Sequence, residues 1–210
     1  MSQIRGTIEV ITGCMFSGKS EELLRRLRLA QVAHQHVEIF KPKRDTRSPG
    51  KIKSRCGISL EAREVTDSGE ILKTVGGLSV VGIDEIHFFE DSLFEVVLAL
   101  QERGCRIIIS GLDMNFRGEP FMTMARFMGI AAKVDKLRAV CGQCHVLEAN
   151  AIYSQMFRGG EIALYDSDSQ QIGDAETYQA RCHKCFVRPI PKNGDNHLSL
   201  VSPVFSSLNL

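Results

Sequence analysis

Gly13-Cys14-Met15-Phe16-Ser17-Gly18-Lys19-Ser20 decides the fold. It satisfies G-x-x-x-x-G-K-[ST] in full, a pattern whose glycines let the backbone curl until its N–H groups point inward at phosphate oxygens. Before it, Thr7 to Thr12 carries Ile8, Val10 and Ile11 and reads as a short buried strand. After it, about Ser17 to Ala33 reads as a helix. Leu23, Leu24, Leu27 and Ala30 give that helix an apolar face, with Arg25, Arg26 and Arg28 elsewhere around it. Strand, loop and helix are the setting the motif needs, because the helix adds the positive end of its dipole. The segment is read as a nucleotide site in which Lys19 reaches the β- and γ-phosphates and Ser20 ligates magnesium.

Further along, Val37 to Phe40 reads as a second strand, followed by a basic, turn-rich stretch from Lys41 to Arg55. Leu78 to Ile83 is a third strand ending at Asp84, Ser92 to Arg103 a helix, and Arg106 to Leu112 a fourth strand. Strands alternating with helices predict an α/β fold of the P-loop (RecA-like) kind, a parallel sheet flanked by helices. Ligands of such sheets bind beyond the carboxyl ends of the strands. The first, third and fourth strands run into polar segments at that edge.

Asp84 closes an apolar run and is the acid expected to hold the magnesium shell; Glu85 follows directly. Successive strand residues face opposite sides, but at a strand end the pleat can break and let both acids reach one crevice. With magnesium near Asp84, Glu85 is left free as a general base.

Four of the seven cysteines fall into two C-x-x-C pairs, Cys141 with Cys144 and Cys182 with Cys185. Four thiolates in a tetrahedron form a closed, structural zinc site. The competing reading is a redox dithiol. His145 and His183 are possible ligands in principle, but with four cysteines available both read as bystanders. Clamping both ends of the long segment between the pairs lowers the entropic cost of holding it over a ligand. Cys14, Cys56 and Cys105 read as reduced thiols.

The chain divides on these grounds into a nucleotide-binding domain over 1–137, a small zinc-binding domain over 138–190, and a polar tail over 191–210 expected to be disordered. A 210-residue chain with 43% hydrophobic and 24% charged residues is ordinary for a globular protein. A net charge of +1 argues against a protein that coats nucleic acid or a membrane. No stretch is apolar and long enough to span a bilayer, and the motif at Gly13 leaves no space for a secretory signal, so a cytoplasmic location is expected.

These elements together resemble the zinc-containing (type II) thymidine kinases over about residues 5 to 188. Gly13 to Ser20 matches that family's G-x-M-F-S-G-K-[ST] loop, including Met15 and Phe16. Lys41 to Arg47 resembles K-P-x-x-D-x-R, and Asp84 to Phe89 resembles D-E-x-Q-F-F. Gly111 to Phe121 resembles G-L-D-x-x-F-R-G-x-P-F, and Ile172 to Tyr178 precedes the second cysteine pair as the family's substrate lasso does.

The resemblance implies roles. Glu85 would take the proton from the 5′-hydroxyl of thymidine as it attacks the γ-phosphate of ATP, with Arg47 and Lys19 compensating charge. The phosphate loop with Asp84, Glu85, Ile86 and His87 would hold ATP and magnesium. Phe88 and Phe116 would pack on the pyrimidine and sugar, with Met15, Leu112 and Phe121 also in the substrate site. Ser154 would lie near the pyrimidine methyl. Ser169, Gln170, Gln171, Ile172 and Gly173 would read the base edge, and Tyr178 would close the pocket. On the residues alone, Phe88, Phe116 and Phe121 read equally as core. The family further implies a homotetramer and a place in nucleotide salvage for DNA synthesis; the residues leave open whether deoxyuridine is a second acceptor and whether dTTP is a feedback inhibitor.

Three departures stand out. His87 replaces a Gln, keeping a donor and an acceptor but making them pH-sensitive. Ser54-Arg55-Cys56-Gly57 replaces S-H-D-G. Tyr153-Ser154-Gln155-Met156 resembles R-T-Q-R but loses the last arginine. The competing functions are a nucleic-acid-dependent P-loop ATPase gripping DNA through its zinc module and the basic stretch, and a GTPase switch, for which no N-K-x-D element is present.

Overall fold

The first buried run forms β1 (Thr7–Gly13), enclosed on both faces from Val10 onward. In this computed structural model, which describes residues 5–146 and 150–191, the chain continues through α1 (Lys19–Val32), β2 (Val37–Pro42), the short strands β3 (Lys51–Lys53), β4 (Ser59–Glu61) and β5 (Arg63–Val65), and α2 (Gly69–Thr74). There follow β6 (Val80–Ile83), a 3-10 turn over Ile86–Phe88, α3 (Leu93–Glu102), β7 (Arg106–Gly111), α4 (Met122–Ile130) and β8 (Lys133–Leu137). The last strands are β9 (Tyr153–Arg158), β10 (Glu161–Ile162) and β11 (Tyr178–Arg181).

Six strands form one sheet in the order β5-β2-β6-β7-β1-β8, every pairing parallel. Side chains alternate across it. Ile8, Val10, Phe40, Val81, Ile83, Ile107 and Ile109 pack on one face with Ile71 of α2, Leu93, Val97 and Leu100 of α3, and Met124 and Phe127 of α4. Ile11, Ile39, Val80 and Ile108 pack on the other face under Leu23, Leu24, Leu27 and Ala30 of α1. Burying both faces is what makes continuous apolar strands necessary. Helix α1 lies so close that a Cβ at Gly82 would stand 2.7 Å from Leu27 Cδ1.

Because α1 carries the chain from β1 across β7 and β6 to β2, the ends of β1 and β6 come to flank the end of β7. The phosphate loop and the two acids therefore share one rim of the sheet. The parallel α/β sheet flanked by helices is the one expected. The first helix begins at Lys19 because Phe16 and Gly18 hold positive φ, 68° and 85°. The third strand begins at Val80, since Leu78 also takes positive φ and is exposed.

Beyond the large sheet, β9 pairs antiparallel with β10 and with β11. The cysteine pairs lie on either side of these strands in sequence. The tail from residue 192, expected to be disordered, lies outside the described residues. Among the described residues no helix is long and apolar enough to cross a membrane.

Candidate active site

The phosphate loop is built on backbone that only certain residues tolerate. Gly13 has φ 136°, and a Cβ there would meet the Leu137 carbonyl oxygen at 2.2 Å. Any side chain would push β1 away from β8. Inside the loop, Lys19 Nζ and Ser17 Oγ donate to the Cys14 carbonyl at 2.7 and 2.8 Å. Ser20 Oγ donates to Asp84 Oδ2 at 3.4 Å, so the two side chains assigned to magnesium are neighbours. Hard oxygen donors of this kind suit that ion.

Glu85 takes the left-handed conformation, φ 51° and ψ 44°, and starts the 3-10 turn. This is the break in the pleat that puts both acids on one side; non-glycine residues held there store strain of about 1 kcal/mol or more, a cost common at functional sites. Arg47 donates through Nη2 to Glu85 Oε1 and through Nε to Asp45 Oδ1 at 2.7 Å. Burial would raise the Glu85 carboxyl, but the charge of Arg47, joined by that of Lys19, holds it well below the usual range. Burial and then the charge of Glu85 push Asp84 the other way. The pair thus splits into a ready anion and a carboxylate with affinity for a cation.

His87 corrects one expectation. It is 5% exposed, and burial drives its imidazole down to about 4, against which Glu85 pulls only partly. Leu112 N–H donates to Nδ1 at 3.3 Å. The ring stays neutral at physiological pH, so the donor and acceptor it offers in place of Gln are not pH-sensitive there.

A cavity of about 820 Å³ opens above this rim. Met15, Phe16, Gly18, Lys19, Ser20, Arg47, Asp84, Glu85, His87, Phe88, Leu112, Phe116, Ser154 and Tyr178 line it, as do Ser169, Gln170, Gln171, Ile172 and Gly173. Gly13, Cys14 and Ser17 of the loop do not line it, and two further residues anticipated in the site, Ile86 and Phe121, face the core. Ile86 is fully buried in the helix-covered core on the far side of its turn. Phe121, at the start of α4, packs on that core with its ring 5.0 Å from the His87 ring. Cys14 contributes backbone only: its thiol donates to the Ala151 carbonyl at 3.3 Å and is pushed by burial to about 11.

Met15, Phe16, Phe116, Met156 and Tyr178 pack into an apolar cluster. Ser154 Oγ accepts from Met15 N–H at 2.9 Å, so this hydroxyl ties β9 to the phosphate loop. The segment 169–173 is held by Tyr178 Oη donating to the Gln171 carbonyl at 2.9 Å, Gln170 Nε2 to the His87 carbonyl at 3.2 Å, and Arg44 Nη1 to Gln170 Oε1 at 2.6 Å. Burial raises the Tyr178 phenol to about 12, keeping it a donor.

Asp45, Lys51, Lys53, Arg55, Met114, Asn115 and Asp174 also line the cavity, though the sequence alone assigns none of them a role. Four of them belong to the segment from Asp45 to Arg55. Its signal is the alternation of Lys51, Ile52 and Lys53 ahead of a glycine turn, a hairpin pattern hidden within a basic run.

Cys141, Cys144, Cys182 and Cys185 place their sulfurs within 4.8 Å of one another, with Cys144 and Cys182 Sγ 3.9 Å apart. A zinc tetrahedron with bonds of about 2.3 Å has edges of about 3.8 Å, whereas a disulfide needs about 2.05 Å. The thiols divide: burial would raise Cys141, but backbone groups of Cys144, Cys182 and Gln143 bring it down to about 6, whereas burial and then the neighbouring cysteines push Cys185 up to about 12. The cluster fits a structural zinc site without either histidine.

A phosphate cradle and a strained, buried carboxylate opening into one lidded cavity define a P-loop enzyme of the phosphoryl-transferring class. Residues 6–186 match the family model described as thymidine kinase. The chain is 43% identical over 185 residues to thymidine kinases from two strains of Chloroflexus aurantiacus, covering 86% of this chain and 94% of each relative. It is 44% identical over 193 residues to the thymidine kinase of Ureaplasma urealyticum serovar 10, covering 88% and 85%. This chain belongs to the thymidine kinase family.

Proposed function

We propose that the chain transfers the γ-phosphate of ATP to the 5′-hydroxyl of thymidine, with deoxyuridine as a second acceptor, giving dTMP and ADP. The observation that carries this reading is Glu85, turned by its left-handed backbone into the cavity that the phosphate loop and the 169–173 segment share.

Glu85 accepts the hydroxyl proton. While Arg47 lies on it, its proton affinity is low; an incoming phosphoryl group that draws the guanidinium away raises that affinity as the hydroxyl attacks. Lys19 supports the terminal phosphates from the loop. Ser20 and Asp84 would hold magnesium, which supplies charge neutralisation at the phosphates. Phe88, Phe116, Met15 and Leu112 provide apolar walls for the nucleoside, and the segment over Tyr178 excludes water.

The chain is proposed to work as two units, 1–137 and 138–190; the end of β8 at Leu137 supports that division. A cytoplasmic homotetramer with dTTP as feedback inhibitor rests on the family likeness alone. The nucleic-acid-dependent ATPase is disfavoured because most of the basic stretch is met by acids of the chain itself: Lys41 by Asp45, Arg44 by Asp168, Arg47 by Glu85, Lys51 by Glu61 and Arg55 by Asp174.

The test is a panel of nucleosides with labelled ATP, scored for 5′-monophosphate. Thymidine and deoxyuridine are expected to be the acceptors. Folded, metal-loaded protein that phosphorylates no deoxynucleoside would refute the reading.

A further inference from the structure

The tetrapeptide Ser54-Arg55-Cys56-Gly57, which departs from the family pattern, forms the tip of the β3–β4 hairpin. Ser54 N–H donates to the Ile58 carbonyl at 2.8 Å, and Gly57, at φ 89°, closes the turn. Ile52, 3% exposed, seats the hairpin in the core beneath α1. From this firm base the Arg55 guanidinium reaches over the Phe16 ring, 4.1 Å from its centroid, and pairs with Asp174 Oδ1.

Asp174 is equally well mounted. Its carbonyl accepts the N–H groups of Thr177 and Tyr178, each at 2.9 Å. Gly173 beside it leaves no room for a side chain, since a Cβ would lie 2.8 Å from Thr177 Cβ. The hairpin on the phosphate side and the lid segment on the nucleoside side thus meet across the cavity at this ion pair. The side chains of that pair are 60% and 59% exposed. A contact so open to water is weak and quick to break, which suits a closure that must release its ligand each cycle.

We propose that Arg55 and Asp174 form a latch that sets how long the nucleoside stays bound, with both acting as positioning residues. This rests on thymidine being the acceptor. The pair joins the hairpin to the lid segment directly and, with the ties of Gln170 to the His87 carbonyl and to Arg44, is one of the contacts that open before the segment leaves.

The experiment follows thymidine dissociation by stopped flow, without ATP, for the wild type, Arg55→Gln, Asp174→Asn and the double variant. Each single change is expected to speed dissociation about two- to fivefold, the range of an exposed ion pair, and the double change to add nothing beyond either single one. Raising salt from about 0.05 to 0.5 M should speed the wild type toward the variants and leave the double variant nearly unmoved. A wild type that binds thymidine, with unchanged or simply additive rates in the variants, overturns the latch alone. A wild type that binds no thymidine overturns the function reading and the latch with it.

Discussion

The guanidinium of Arg47 lies on the carboxylate of Glu85 and is braced from behind by Asp45. A base held by a cation is kept ionised and, until the cation leaves, kept weak. Glu85→Gln should therefore retain nucleoside binding and lose turnover by about 10²–10⁴-fold, the usual range for a positioned general base. Single-turnover rates alongside calorimetric thymidine titration check this; retained turnover would remove Glu85 from the mechanism.

Arg47→Ala should move the pH profile in a definite direction. Arg47 depresses the Glu85 pKa, so its removal raises it, and the acid limb of kcat/KM shifts to higher pH. Turnover at the plateau should also fall by about 10³-fold or more, as for other arginines that neutralise transferred phosphoryl groups. A profile whose acid limb stays in place would show that Arg47 does not control Glu85.

His87→Gln should leave the activity profile between about pH 6 and 9 unchanged, because the wild-type ring is already neutral there. Stability should respond instead. Unfolded histidine titrates near 6.5 and the folded ring near 4. Between those values the unfolded chain binds the extra proton, so folding stability rises with pH across that window. Denaturant midpoints measured from about pH 4.5 to 7 should climb less steeply in the variant than in the wild type.

The contact between α1 and β6 can be tested by Gly82→Ala. The new Cβ would stand 2.7 Å from Leu27 Cδ1, a fully buried side chain that has to shift to make room, a cost of about 1–3 kcal/mol. Leu27→Ala alone should cost about 2–5 kcal/mol. If the two side chains oppose each other, the double variant loses less than the sum, and chemical denaturation of the four proteins measures the difference.

Much of this molecule can be read from its residues. Continuous apolar runs such as Ile107-Ile108-Ile109 announce strands buried on both faces, and the loop from Gly13 to Ser20 falls between strand and helix as its motif requires. Strand β8 is hard to see in the sequence because an edge strand alternates charge with apolar residues, as Lys133-Val134-Asp135-Lys136-Leu137 does. The hairpin hides for a related reason, since its lysines look like a solvated run while Ile52, with Leu60 opposite it, marks its buried side. His87 shows a different limit: its residue type suggests a pH sensor, and only burial cancels that property. Phe121 and Ile86 sit within motifs whose neighbours do line the cavity, but chain adjacency does not settle which way a side chain faces.

Cys14 of the phosphate loop packs in one cluster with Cys141 and Cys182, and its thiol reaches the Ala151 carbonyl. The cysteine cluster is thus also the backstop of the loop proposed to grip the nucleotide. An oxidant that strips the metal should therefore silence the enzyme by slackening that grip while the parallel sheet stays intact. Peroxide poisoning would be seen first as a loss of affinity and only later as a loss of shape.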